Sequence, residues 1–144
     1  MKTKINVLLD EHAIMPTKAH KEDAGYDLYL PENIRLIIIP PFSDKVIDTG
    51  VHFEIPSGYV GFVKAKSGLS VKANIEHGAG VIDSGYTGSV SVHLYNHGNE
   101  PYAFLGGEKL AQIVFIPVPE TELVEVSSLE DTERGSNGFG SSGK

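Results

Sequence analysis

From Ser89 to Tyr95 the residues alternate: Val90, Val92 and Leu94 are apolar, with Ser89, Ser91, His93 and Tyr95 between them. A period of two belongs to a strand with one face in a core and one toward solvent, and a helix cannot produce it. Similar short runs recur along the chain, parted by turn residues. Ile5–Leu9 is apolar, Tyr26–Leu30 alternates, Ile34–Ile39 stops at Pro40 and Pro41, and Val46–Ile55 and Tyr59–Lys66 flank Pro56, Ser57 and Gly58. Leu110–Val118 and Leu123–Val126 complete the set. Turn signals every ~8–12 residues predict an all-β barrel or sandwich. One short helix is expected, Ser67–Ala73, with a serine capping its first turn.

At 144 residues the chain is long enough for one core without staples. Twelve Lys and Arg against nineteen Asp and Glu leave a net charge of −7, which argues against general binding to a nucleic-acid backbone. There is no cysteine, so disulfides, thiolate catalysis and Cys-ligated zinc are excluded. No apolar run approaches the ~18 residues of a membrane span. A cytoplasmic, non-membrane protein is expected. Composition changes once, near Ser127, after which Leu129 and Phe139 are the only large apolar residues. Residues 1–127 are therefore expected to form the barrel domain, and residues 128–144 a mobile arm, since so little apolar surface cannot order a segment alone.

Three segments could carry chemistry. In Gly78–Gly88, Asp83 follows two apolar residues and precedes Ser84 and Gly85, which places its carboxylate at a strand end in a hairpin. Either it only starts a turn, as Asp-Ser-Gly does routinely, or it is a base held beside a nucleotide-sized slot. Lys64–Ser70 sets two lysines, two serines and a glycine at a strand-to-helix junction, which makes either a solvated basic turn or an anion site. Arg134–Gly143 holds a guanidinium, an aromatic ring, serines and glycines. It is a flexible terminus, or it supplies groups suited to phosphate and base. The six histidines lack metal-ligand spacing.

Five segments in this order resemble the motifs of the homotrimeric deoxyuridine triphosphatase (dUTPase) family: Ala24–Tyr29, Lys66–Ser70, Gly80–Gly88, Gly106–Gln112 and Arg134–Gly143. The resemblance implies a jelly-roll-type β-barrel (a β-clip) with one short helix. It implies an enzyme that hydrolyses dUTP to dUMP and pyrophosphate, limiting uracil in DNA and supplying dUMP for dTMP synthesis. By the resemblance, Asp83 deprotonates the water that attacks the α-phosphorus. Tyr86 packs under the deoxyribose, and Gly80, Val81 and Ile82 read uracil through the backbone. Lys66, Ser67, Gly68 and Gln112 bind phosphates. Arg134, Ser141 and Ser142 grip the γ-end, with Gly140 beside them, and Phe139 stacks on the base. Mg²⁺ is the implied cofactor, held through water by Asp27. A homotrimer with shared active sites is implied, its arms closing over neighbouring nucleotides.

The chain departs from the family pattern at four places. Lys66 and Lys109 stand where Arg is usual, Gly85 where an acidic residue is common, and Ser142 where Thr is commoner. A lysine supplies a point charge without the planar fork of arginine. A dCTP deaminase shares the barrel, but the stretch Ser89–Tyr95 lacks the glutamate base of those enzymes. A nucleotide-sensing relative without turnover is the reading from another class. Asp83, Arg134 and Phe139, all present, favour turnover.

Overall fold

Val90, Val92 and Leu94 are fully buried, and Ser91, His93 and Tyr95 face outward, so the alternation read from the sequence is a half-buried strand. The computed structural model describes residues 2–140 and 142–143. Its elements, in chain order, are β1 (Asn6–Leu9), β2 (Gly25–Tyr29), β3 (Leu36–Ile39), β4 (Ser43–Glu54) and β5 (Tyr59–Lys64). Then come α1 (Ser67–Ala73), β6 (Ile75–His77), β7 (Val81–Ile82), β8 (Ser89–Asn96), β9 (Tyr102–Leu105) and β10 (Lys109–Pro117).

Strands β1-β4-β8-β6 form one four-stranded sheet, β2-β10-β5-β7 a second, and β3-β9 a two-stranded ribbon, every pairing antiparallel. This is the expected jelly-roll-type β fold. Its core joins Ile47, Val92 and Leu94 of the first sheet to Leu28, Val63 and Ile113 of the second, each at most 2% exposed. Each such side chain contributes about 1.5–3 kcal/mol when removed from water. Among the described residues no helix is long and apolar enough to cross a membrane.

Three expectations are corrected. Leu123–Val126 forms no strand, and Leu123 is 98% exposed. Its apolar residues find no neighbouring strand among the described residues to complete a ladder. The helix has the expected bounds, but Lys66 is its N-cap and no side chain caps it; Asn74 ends it in the left-handed conformation. Finally, the residues after β7 are not the loop of a hairpin. β7 pairs with β5 and β8 with β4 and β6, so this connection crosses from one sheet to the other.

Asn96 shows how the core closes at its polar edge. It is 1% exposed, donates from Nδ2 to the carbonyls of Ile39 (3.0 Å) and Glu100 (2.8 Å), and accepts from the Gly98 amide (2.9 Å). Asn96→Ala strands these partners and is expected to cost about 1–3 kcal/mol in urea unfolding. Val46→Ala, at a side chain 67% exposed, should change stability by no more than about 0.5 kcal/mol. Equal midpoints for the two variants would contradict this assignment.

Candidate active site

Strand β10 lies between β2 and β5, and its register sets Gln112 opposite Asp27 on one side and Lys64 on the other. Two of the motifs, through Asp27 and Gln112, thus meet the start of the Lys64–Ser70 segment in one row across the sheet. Asp27 is pinned by its backbone, donating its amide to Thr17 O at 2.7 Å, and its side chain is only 5% exposed. One carboxylate oxygen takes the ammonium of Lys66, and the other takes that of Lys109 at 2.9 Å. A register break at Leu110 accompanies the turn of Lys109 toward Asp27. Burial works to raise the Asp27 pKa, but the hydrogen bonds and charges of Lys66 and Lys109 outweigh it, holding the carboxyl below its ordinary 3.8. Lys109 is raised in turn, first through its hydrogen bond to Asp27. Gln112 donates to the carbonyl of Ala65 at 3.2 Å, tying β10 to the segment that leads into α1.

Beside this row, β5 carries the sheet on toward β7. Gly80 accepts from the Val63 amide at 2.8 Å, and a Cβ on Gly80 would lie 2.5 Å from the Val63 carbonyl oxygen. Only glycine permits this approach. Beyond β7, Asp83 opens a tight turn closed by the Tyr86 amide donating to the Asp83 carbonyl at 3.1 Å. The turn-starting reading of Asp83 holds, and the residue also lines a cavity. Gly80, Val81, Ile82, Asp83 and Tyr86 line a cavity of about 240 Å³ together with Ser91. The Tyr86 hydroxyl donates to Ser89 O at 3.0 Å, and its ring covers Gly88, where a Cβ would lie 2.5 Å from the hydroxyl oxygen. The Asp83 side chain is exposed where it lines this cavity.

Ser67 and Gly68 are exposed in the first turn of α1, and a Cβ built on Gly68 would meet nothing beyond its own helix backbone and chain neighbours within 4 Å. The free amides of a helix start thus stand next to Lys66. Among the described residues, none of the arm lines the cavity. Arg134 bonds locally, Nε to Asn137 O at 2.8 Å, while Phe139, Gly140 and Ser142 are exposed. Ser141 lies outside the described residues.

Sequence reasoning missed the pairing of Lys109 with Asp27 and the place of Ser91 in the cavity. The β8 alternation carried a signal for Ser91, because it puts that residue on the outward face. Nothing local to the sequence signals the lysine pair.

The expected Mg²⁺ can be tested against these donors. Among the described residues no group of three or more His, Asp or Glu could hold a metal. Both oxygens of Asp27 are already engaged by ammonium groups. A resident ion does not fit this donor set. An ion carried in on a triphosphate does, because Mg²⁺ keeps several waters and takes phosphate oxygens.

A family model described as dUTPase matches residues 11–143. The chain belongs to the dUTPase family. It is 44% identical over 146 residues to the deoxyuridine 5'-triphosphate nucleotidohydrolase of Nautilia profundicola, covering all of both chains. Among solved structures, Staphylococcus bacteriophage 80alpha dUTPase with dUPNHPP superposes with a TM-score of 0.90 at 32% identity, over 99% of this chain and 100% of that one. A mutant dUTPase from phage phi11 of S. aureus, described with a structural Mg(II) ion, superposes with a TM-score of 0.79 at 32% identity, over 90% and 100%.

The Asp27 cluster predicts a pH dependence. A carboxyl depressed in the folded state stabilises it above the ordinary pKa, and that stabilisation is lost as pH falls through the depressed value. Asp27→Asn should lower stability by about 1.5–3 kcal/mol at neutral pH, the range for hydrogen bonds to charged groups. Urea unfolding should show the gap to the parent chain closing below about pH 4. A gap that stays constant with pH would contradict the ion-pair account.

Proposed function

We propose that this dUTPase-family chain cleaves dUTP to dUMP and pyrophosphate, with Asp83 as general base. The observation that carries the reading is the exposed Asp83 side chain in a cavity lined by Gly80, Val81, Ile82 and Tyr86, one residue past β7, which pairs with β5 in the sheet that holds Gln112 and leads on to Lys66. The base occupies the cavity, where backbone groups of Gly80–Tyr86 read uracil and leave no room for a 5-methyl group. Tyr86 lies under the deoxyribose and excludes a 2′-hydroxyl. The phosphates run toward Lys66, Ser67, Gly68 and Gln112.

Asp83 accepts a proton from water as the water oxygen bonds to the α-phosphorus. The bridging oxygen to the β-phosphorus leaves with pyrophosphate. Such a reaction needs positioning and charge stabilisation more than covalent help. In a chain of net charge −7, Lys66 and Lys109 supply local attraction, with Asp27 fixing where their ammoniums stand. Mg²⁺ is part of the nucleotide substrate in this reading, where it neutralises phosphate charge. The part expected of Asp27, contact with that ion through water, requires an ammonium to leave the carboxylate for a phosphate oxygen.

The arm completes the site in trans. Arg134, Ser141 and Ser142 hold the γ-end, Gly140 lets the backbone approach, and Phe139 covers the base. We read the assembly as a homotrimer with shared sites, a barrel of residues 1–127 and an arm of residues 128–144. The exposure of Arg134 and Phe139 in their own chain supports this reading.

Pyrophosphate release with dUTP, compared with dCTP, dTTP and UTP, tests the activity. Turnover is expected with dUTP and little with the others. Asp83→Asn keeps the side chain's shape but cannot take the proton, so kcat should fall ~10²–10⁴-fold with KM little changed. Parental turnover in that variant would remove Asp83 from the role of base.

A further inference from the structure

The pairing of β4 with β8 breaks register between Asp48 and His52, and the imidazole of His52 reaches the far end of the crossing segment. Its Nδ1 lies 2.8 Å from the carbonyl oxygen of Thr87, and its Nε2 lies 3.0 Å from a carboxylate oxygen of Asp10. Both partners are acceptors, so both ring nitrogens must donate, and only the imidazolium does that. Thr87 directly follows Tyr86, whose ring packs on Gly88.

We propose that His52, as the imidazolium, is a positioning residue that fixes the Tyr86 end of the substrate turn and makes discrimination between dUTP and UTP depend on pH. The proposal rests on the reading of Tyr86 as the wall under the deoxyribose. A neutral imidazole has one donor, so one acceptor then faces a lone pair. Either Thr87 is released, or Asp10 is, and the ring is no longer held from both sides.

The surroundings favour the cation. Asp10 faces it from the turn after β1, and Asp48 and Glu54 flank it on β4 itself. Opposite it stand apolar Leu8 on β1 and Ser89 on β8, with the Tyr86 phenol bonded to the Ser89 carbonyl. Asp48 is shared with the Gly50 amide and the Ser89 hydroxyl. The Thr87 hydrogen bond is the largest cause that raises the imidazole above its ordinary 6.5, and Asp10 and Asp48 add to it. The clamp is therefore complete below the ordinary value and lost as pH rises through the raised one. The side chain is 21% exposed, so its proton exchanges with solvent.

The test measures the ratio of kcat/KM for dUTP to that for UTP from about pH 6 to pH 9, which spans the range in which histidines titrate. Titrations common to both reactions cancel in the ratio. The parent enzyme should lose discrimination roughly 3- to 10-fold across the imidazole transition, the scale of one modest hydrogen bond. His52→Gln should sit at the low ratio throughout, without the transition. A flat ratio in the parent, or the same transition in His52→Gln, overturns the proposal. NMR of the parent chain without nucleotide gives an arm that needs no turnover. The Tyr86 and Thr87 amides should shift with the same midpoint as the His52 ring, and Asp10→Asn should lower that midpoint. Amides that do not follow the ring overturn the clamp. If dUTP is not hydrolysed at any pH, the proposed function fails and the NMR arm alone decides on His52.

Discussion

Strand β10 pairs along both edges, with β2 on one side and β5 on the other, and the site is a consequence of that double pairing. It brings Asp27, Gln112 and Lys64 into one row although they come from three separate parts of the chain. β5 carries the sheet on toward β7 one residue along from that row, where Gly80 can lie against the Val63 carbonyl because it has no side chain. A sheet fixes such positions tightly, since a one-residue slip would turn every side chain to the opposite face. Phosphoryl transfer needs this kind of fixed geometry more than it needs reactive side chains.

Charge is arranged on the same frame. A buried carboxylate between two ammonium groups would be costly alone, but Asp27 is saturated by Lys66 and Lys109. The cluster of one anion and two cations keeps a local positive balance where a triphosphate would arrive, on a chain that is negative overall. Two lysines where the family usually has arginines keep that charge but bind as points, so their placement depends on the carboxylate between them.

Much of this was legible in the sequence where the signal was local. The alternation at Val90, Val92 and Leu94 identified a strand correctly, and Ser67–Ala73 is a helix with the expected ends. β7, with two residues, and β6, with three, are too short to show a period. Leu123–Val126 had the composition of a strand but pairs with none among the described residues. Asp83 was legible as a turn-starting residue at a strand end. Its crossing between sheets was not, because which strands pair is decided by contacts distant in sequence. The Lys66–Asp27–Lys109 cluster was hidden for the same reason, and so was the His52 contact with Thr87.

In the proposed assembly the sheet and turn of one chain are completed by the arm of another. Arg134 and Phe139 are exposed and do not line the cavity of their own chain, so the question is which chain supplies them. The direct measurement mixes two inactive chains under conditions that exchange subunits, one lacking residues 134–144 and the other carrying Asp83→Asn. Mixed assemblies should regain dUTP turnover, because some sites then join an intact Asp83 to an intact arm. Subunit exchange confirmed by mass with no recovery of activity would show that each site belongs to a single chain, and would contradict the account.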